Sequence, residues 1–337
     1  MPRIFTACVI FFLSLPVFAD ETYFDNSGRD DVLSGGVRMI PIDTPHGTFR
    51  VWTKRVGNNP TTKLLLLHGG PAFSHEYLEA FDSFLPGAGI EYYYYDQLGS
   101  YYSDQPDNDD LWTIPRFVEE VEQVRNALGL NKDNFYLYGS SWGGLLAMEY
   151  ALEYQQNLKG LIISNMMASA PAYDEYANNV LAKRFDPDAL AEIRALEAAE
   201  DFANPRYEEL LMREHYTRHA LRMPLEEWPD PVMRAFKHAN RHIYVLMQGP
   251  SEFGIGGRLA DWDRTADIHR ITVPTLVTVA EWDTMDPDHM RWMVEEIPNA
   301  RALELPDGSH LSMYDDQDRY MDGLIRFIRD VDAGEFD

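Results

Sequence analysis

Residues 135–144 read Phe-Tyr-Leu-Tyr-Gly-Ser-Ser-Trp-Gly-Gly. A short apolar run ends at Gly139, and a helical pattern runs from Trp142 to Tyr154. Between them, Gly139-Ser140-Ser141-Trp142-Gly143 fits the Gly-x-Ser-x-Gly pattern of a strand–turn–helix elbow with Ser141 at its apex. The spacing has a steric cause. A serine carried on so sharp a turn needs small residues two positions to either side, because neighbouring backbone passes close there. Ser141 is the candidate nucleophile.

Outward from this elbow the chain alternates strands and helices. Residues 37–56 alternate apolar and polar positions around Pro45-His46-Gly47, which predicts an antiparallel hairpin. Short apolar runs then recur at Lys63 to Leu67, Ile90 to Tyr95, Phe135 to Tyr138, Leu158 to Ser164, Thr275 to Ala280 and Ala300 to Leu305. Such runs suit strands buried on both faces. Helical patterns at Pro115 to Leu128, Trp142 to Tyr154 and Pro287 to Ile297 lie between them. This rhythm predicts an α/β protein of the α/β-hydrolase fold, with a mostly parallel central sheet flanked by helices. One stretch breaks it. Residues 168–258 hold no convincing buried strand and are rich in Ala, Glu, Arg and Leu at helical spacing. They read as a helical cap inserted into a core formed by residues 37–167 and 259–337.

Composition narrows the function classes. The 337 residues include 29 basic and 55 acidic ones, a formal net charge of −26. So large an acid excess repels phosphate backbones and anionic membrane surfaces, which argues against nucleic acid as a partner. Hydrophobic residues make up 45% of the chain, enough for a sizeable core. At the N-terminus, Arg3 precedes an almost wholly apolar run from Ile4 to Val17, and Val17-Phe18-Ala19 is followed by Asp20-Glu21. This is the pattern of a signal peptide spanning residues 1–19, cut after Ala19, with the protein exported to the periplasm or secreted. The run is shorter than the roughly 20 residues of a membrane span, so no stable membrane association is expected after cleavage. Cys8, the only cysteine, lies inside this segment. A cleaved chain would have no disulfide, thiol nucleophile or zinc–thiolate site. Oligomeric state is not readable.

A serine hydroxyl is a weak nucleophile and needs a base. In this fold the chain order is serine, acid, histidine. Asp283 follows the run Thr275 to Ala280, and His310 follows Ala300 to Leu305. His310 is the expected base, and Asp283 the acid that fixes its tautomer. Glu281 and Asp286 flank Asp283 and compete for that role. An oxyanion hole needs backbone N–H donors. The expected ones are Trp142, after the nucleophile, and Gly70 in His68-Gly69-Gly70-Pro71. Two histidine pairs at i, i+4 spacing, His215/His219 and His238/His242, lack the intervening glutamate of a zinc protease. They read as packing or surface residues, with no metal or organic cofactor implied.

Six motifs together resemble the proline iminopeptidases: HGGPA at 68–72, DQLGSYYSDQPD at 96–107, GSSWGG at 139–144, GPSEF at 249–253, EWDTMDP at 281–287 and DGSHLSMYD at 307–315. The resemblance runs from about residue 37 to 330. It implies a serine peptidase that releases an N-terminal residue, often proline, from peptides or small amides through an acyl-enzyme. It also implies that Glu252 binds the substrate's free amine. Two departures stand out. Ala72 replaces a usual glycine and is expected to crowd the oxyanion loop slightly. Thr284 stands where family members often carry a second amine-binding glutamate, with Asp286 or Glu281 as substitutes. The alternative is a carboxylesterase or amino-acid amidase without strict specificity for N-terminal proline. Dehalogenases and soluble epoxide hydrolases use a carboxylate nucleophile, which Ser141 is not. A non-catalytic scaffold would lack a member of the serine–acid–histidine set, and none is missing.

Overall fold

The computed structural model describes residues 21–336. The signal-peptide segment and Cys8 lie outside them. The first two strands, β1 (Val37–Thr44) and β2 (Gly47–Val56), form the antiparallel hairpin, in register from Val37↔Lys54 to Thr44↔Gly47. Then come β3 (Lys63–Leu67), β4 (Glu91–Asp96), helix α1 (Ile114–Ala127), β5 (Phe135–Ser140), α2 (Trp142–Tyr154) and β6 (Gly160–Ser164).

The cap follows. Its helices are α3 (Ala170–Asn179), α4 (Pro187–Ala198), α5 (Pro205–Leu211), α6 (Asp230–His238) and α7 (Arg241–Met247). Helix α5 continues directly into a π-helix, Met212–Ala220. The core resumes with β7 (Thr275–Ala280), α8 (Pro287–Glu296), β8 (Ala300–Leu305) and α9 (Gln317–Ala333). The chain leaves and re-enters the core through a narrow neck. Ala170 N donates to Trp262 O at 2.8 Å, and Arg264 N to Ala168 O at 2.8 Å.

The eight strands form one sheet in the order β1-β2-β4-β3-β5-β6-β7-β8. Pairing is antiparallel from β1 to β4 and parallel from β4 onward. Successive side chains on a strand point to opposite faces, so each central strand feeds two cores. Leu65, Leu67 and Leu137 pack with Val121, Leu145 and Met293 beneath α1, α2 and α8. Leu64, Leu66 and Tyr138 pack with Leu324 and Phe327 of α9 and with Leu210 and Val232 of the cap. The expectation of strands buried on both faces needs one correction. Strand β8 is only partly buried up to Leu305, because it is the sheet edge and carries Arg301 and Glu304. Among the described residues no helix is long and apolar enough to cross a membrane.

Candidate active site

The site stands at the carboxyl ends of the parallel strands, where ligands of open α/β sheets bind. Ser141 sits between β5 and α2 with φ 55° and ψ −126°, a positive φ that a residue with a side chain rarely adopts. Ser141 N donates to Ser164 O at 2.9 Å, and its carbonyl accepts from Gly144 N at 2.6 Å. The flanking glycines leave no choice of residue. A Cβ at Gly139 would lie 2.0 Å from Gly143 O, and one at Gly143 would lie 2.2 Å from Leu67 O.

Asp283 and His310 meet across the loops after β7 and β8. His310 Nδ1 donates to Asp283 Oδ1 at 2.7 Å. Asp283 also accepts from Met285 N at 3.1 Å and from Asn165 Nδ2 at 2.6 Å. Asn165 in turn donates to Ser309 O at 3.1 Å, so it ties the acid to the histidine loop. With Nδ1 engaged, Nε2 is the ring nitrogen left for Ser141. Ser141 and His310 line one cavity of about 500 Å³. Burial by itself lowers the basicity of His310, but the charge of Asp283 and its hydrogen bond outweigh burial. With a smaller contribution from Glu252, the net effect places the pKa above the ordinary histidine value of 6.5.

The loop after β3 runs against the nucleophile: a Cβ at Gly69 would be 3.0 Å from Ser141 Cβ. Gly70 has φ 114° and lines the cavity. Trp142 opens α2, so its N–H is among the amides a helix leaves without an internal partner. Gln97, fully buried just past β4, joins these two segments. Its Nε2 donates to His68 O at 3.0 Å, its Oε1 accepts from Trp142 Nε1 at 2.8 Å, and its backbone N donates to His68 Nε2 at 3.1 Å. Burial pushes His68 down to about 4, which keeps the ring uncharged and its Nε2 an acceptor at neutral pH. Sequence reasoning missed both Gln97 and Asn165. Neither lies at a motif spacing that demands its side chain.

Beyond the slight crowding expected from the sequence, Ala72 carries a backbone demand. It holds φ 60°, the left-handed region where glycine is at home, so the departure acts on backbone conformation. Its carbonyl accepts from Asn240 N of the cap at 2.9 Å.

The cap brings Glu252 to the cavity. Its side chain is partly buried, and Tyr244 OH donates to Oε1 at 2.5 Å. The backbone around it is held three times. Its N donates to Tyr216 OH at 3.2 Å, and its carbonyl accepts from Tyr173 OH at 2.6 Å and His215 Nε2 at 2.9 Å. Desolvation raises the Glu252 pKa, and the nearby His310 charge and the Tyr244 hydroxyl offset only part of that rise. Thr284 does not line the cavity. It is buried, with Oγ1 3.3 Å from Asp283 Oδ1 and 3.2 Å from His310 Nδ1. Neither substitute takes an amine-facing place. Exposed Glu281 pairs with Arg291 at 3.1 Å, and Asp286 caps α8 through Asp288 N at 3.0 Å. The cavity's other carboxylate is the exposed Glu208, on α5.

The histidine pairs do not converge on a common ligand. His219 accepts His310 N at its carbonyl and places Nδ1 2.8 Å from Trp282 O, so with His215 it braces the site. His238 meets Glu76 at 2.7 Å and His242 meets Asp109 at 2.7 Å, which pins the cap to the core.

Comparison with known proteins agrees with this geometry. The α/β hydrolase fold model matches residues 63–317. The chain is 60% identical to a proline iminopeptidase of Flavobacterium johnsoniae over 293 residues, covering 87% of this chain and 98% of that one. It is 58% identical to the proline iminopeptidase of Elizabethkingia meningoseptica over 300 residues, 88% of this chain and all of that one (100%). Among solved structures, a proline iminopeptidase of Mycobacterium smegmatis superposes with a TM-score of 0.76 at 28% identity, covering 88% of this chain and 99% of that one. VinJ superposes with a TM-score of 0.80 at 28% identity, covering 87% and 99%.

Two outcomes follow from the site, both read by the rate at which an organophosphonate labels Ser141. First, Gln97→Leu removes the link between the loop after β3 and the elbow. We expect it to slow labelling roughly ten- to a hundred-fold, because small misplacements of reacting groups cost about that much. An unchanged rate contradicts the bracing role. Second, His310 accepts a proton only when uncharged. Its raised pKa means that form is lost as pH falls through a value above 6.5. The acid limb of the labelling rate is expected above pH 6.5, and Glu252→Gln should move it down. A limb below 6.5, or an upward shift, contradicts the assignment.

Proposed function

The chain belongs to the proline iminopeptidase family of α/β-hydrolases, which release N-terminal proline from peptides, and we propose that Ser141, His310 and Asp283 perform that reaction here. In this reading Ser141 Oγ attacks the carbonyl carbon of the first residue while His310 Nε2 takes its proton. The Gly70 and Trp142 amides receive the developing oxyanion. His310 then gives the proton to the departing amine of the second residue. Water, activated by the same histidine, releases proline from the acyl-enzyme. Asp283 holds the imidazole and stabilises its charged form, and Asn165 fixes Asp283.

Glu252 is the observation that carries the amine-reading part of the proposal. A carboxyl partly buried in the wall of the nucleophile's cavity, with one hydrogen-bond partner, is costly until a cation joins it. The free amine of the substrate is that cation. Its arrival favours the ionised carboxylate and fixes the first residue with its carbonyl at Ser141. Thr284 takes no part in this contact, since its hydroxyl belongs to the Asp283–His310 pair.

A panel of prolyl, alanyl and N-acetylprolyl arylamides beside a short-chain nitrophenyl ester tests the reading. The prolyl arylamide is expected to react fastest. The acetylated one should be at least a hundred-fold slower, as expected when a buried charge loses its partner. Ser141→Ala should lower kcat by about a million-fold. Equal turnover of acetylated and free-amine substrates contradicts amine recognition and favours the esterase or amidase alternative.

A further inference from the structure

The cavity that holds Ser141, His310 and Glu252 is also lined by Lys237 and Arg241 of the cap. Both are exposed, whereas Glu252 is partly buried in the cavity wall. In a chain of net charge −26, most cations have a carboxylate to pair with. On α6 itself, Arg234 contacts Glu76 at 2.5 Å, Glu79 at 2.5 Å and Asp230 at 2.7 Å, and His238 contacts Glu76 at 2.7 Å. Lys237 on the same helix has no ion-pair partner among the described residues, and neither has Arg241. The guanidinium of Arg241 lies 5.4 Å from the ring centroid of Tyr244, whose hydroxyl holds Glu252. Tyr244 therefore joins the anionic Glu252 to the cationic Arg241. Glu208 lines the same cavity and pairs with neither cation.

We propose that Arg241 and Lys237 bind the free C-terminal carboxylate of a short peptide, a proposal that rests on the reading of Glu252 as the amine site. An unblocked peptide of a few residues carries an ammonium at one end and a carboxylate at the other. Its extended backbone advances about 3.3–3.6 Å per residue. With its amine at Glu252 and its first carbonyl at Ser141, the remainder of a short peptide lies in the same cavity, whose lining includes Arg241 and Lys237. Arginine presents the planar donor fork that matches a carboxylate, and lysine adds a point charge. Long peptides and C-terminally amidated ones bring no charge to this place. The site thus selects small peptides, such as those left by upstream endopeptidases and dipeptidyl-peptidases.

The test compares Pro-Gly and Pro-Gly-Gly as free acids with the same peptides amidated at the C-terminus, at low ionic strength, using the full chain. The free acid of at least one length is expected to show a KM roughly tenfold below that of its amide, the gain of one well-formed charged pair. Arg241→Met should bring the acid-to-amide ratio toward one, and Arg241→Met with Lys237→Met should abolish the preference. Arg241→Lys, which keeps the charge without the fork, should retain part of it. Methionine preserves the apolar stem, and the ratio is internal to each variant, so a general loss of activity does not mimic the result. Equal KM values for acid and amide at both lengths in the parent chain, or an unchanged ratio in the double variant, would overturn the proposal. Failure of the amine reading is seen separately, in equal turnover of N-acetylated and free-amine peptides.

Discussion

The carboxyl of Glu252, partly withdrawn from water in the cavity that Ser141 also lines, is the contact on which the architecture of the cap turns. Three hydrogen bonds fix its backbone, from Tyr173, to Tyr216 and from His215, and a fourth from Tyr244 holds its side chain. These partners come from α3, the π-helix and α7, so three separate cap elements converge on one residue. The backbone is held firmly while the carboxyl itself keeps a single donor, Tyr244, which leaves an acid in an unfavourable setting short of partners. The arrangement makes sense as a receptor for a cation, with the reacting carbonyl placed next to it.

The same economy of placement governs the catalytic side. Ser141, Asp283 and His310 come from the ends of β5, β7 and β8, and nothing within one segment fixes their relative positions. Asn165 at the end of β6 and Gln97 at the end of β4 supply that register from neighbouring strands. Cap and core also share the work. His219 holds the His310 backbone, Ala72 holds Asn240, and His238 and His242 meet core carboxylates. Movements of the cap therefore act on the histidine loop and the oxyanion loop as well as on Glu252.

Much of this was legible in the sequence, for steric reasons. The elbow could be read because Gly139 and Gly143 admit no side chain, and that requirement is written in residue identity. The meeting of Asp283 with His310 could be read because strand order brings the ends of β7 and β8 together. Asn165 and Gln97 could not be found this way. Their roles depend on how neighbouring strands approach, and no spacing demands an amide there. Thr284 could be read as a departure from the glutamate that relatives often carry there, but sequence position does not reveal that its side chain turns toward the Asp283–His310 pair. The edge strand β8 was taken for a fully buried one, although Arg301 and Glu304 in its run already mark one side as wet.

The account's central claim is that Glu252 reads the substrate's free amine. Its most direct measurement is a double cycle of kcat/KM for prolyl and N-acetylprolyl arylamides, each with the parent chain and with Glu252→Gln. The account predicts that the substitution costs the free-amine substrate about a hundred-fold, about 2.7 kcal/mol, and leaves the acetylated one nearly unchanged. Equal losses for the two substrates would contradict it.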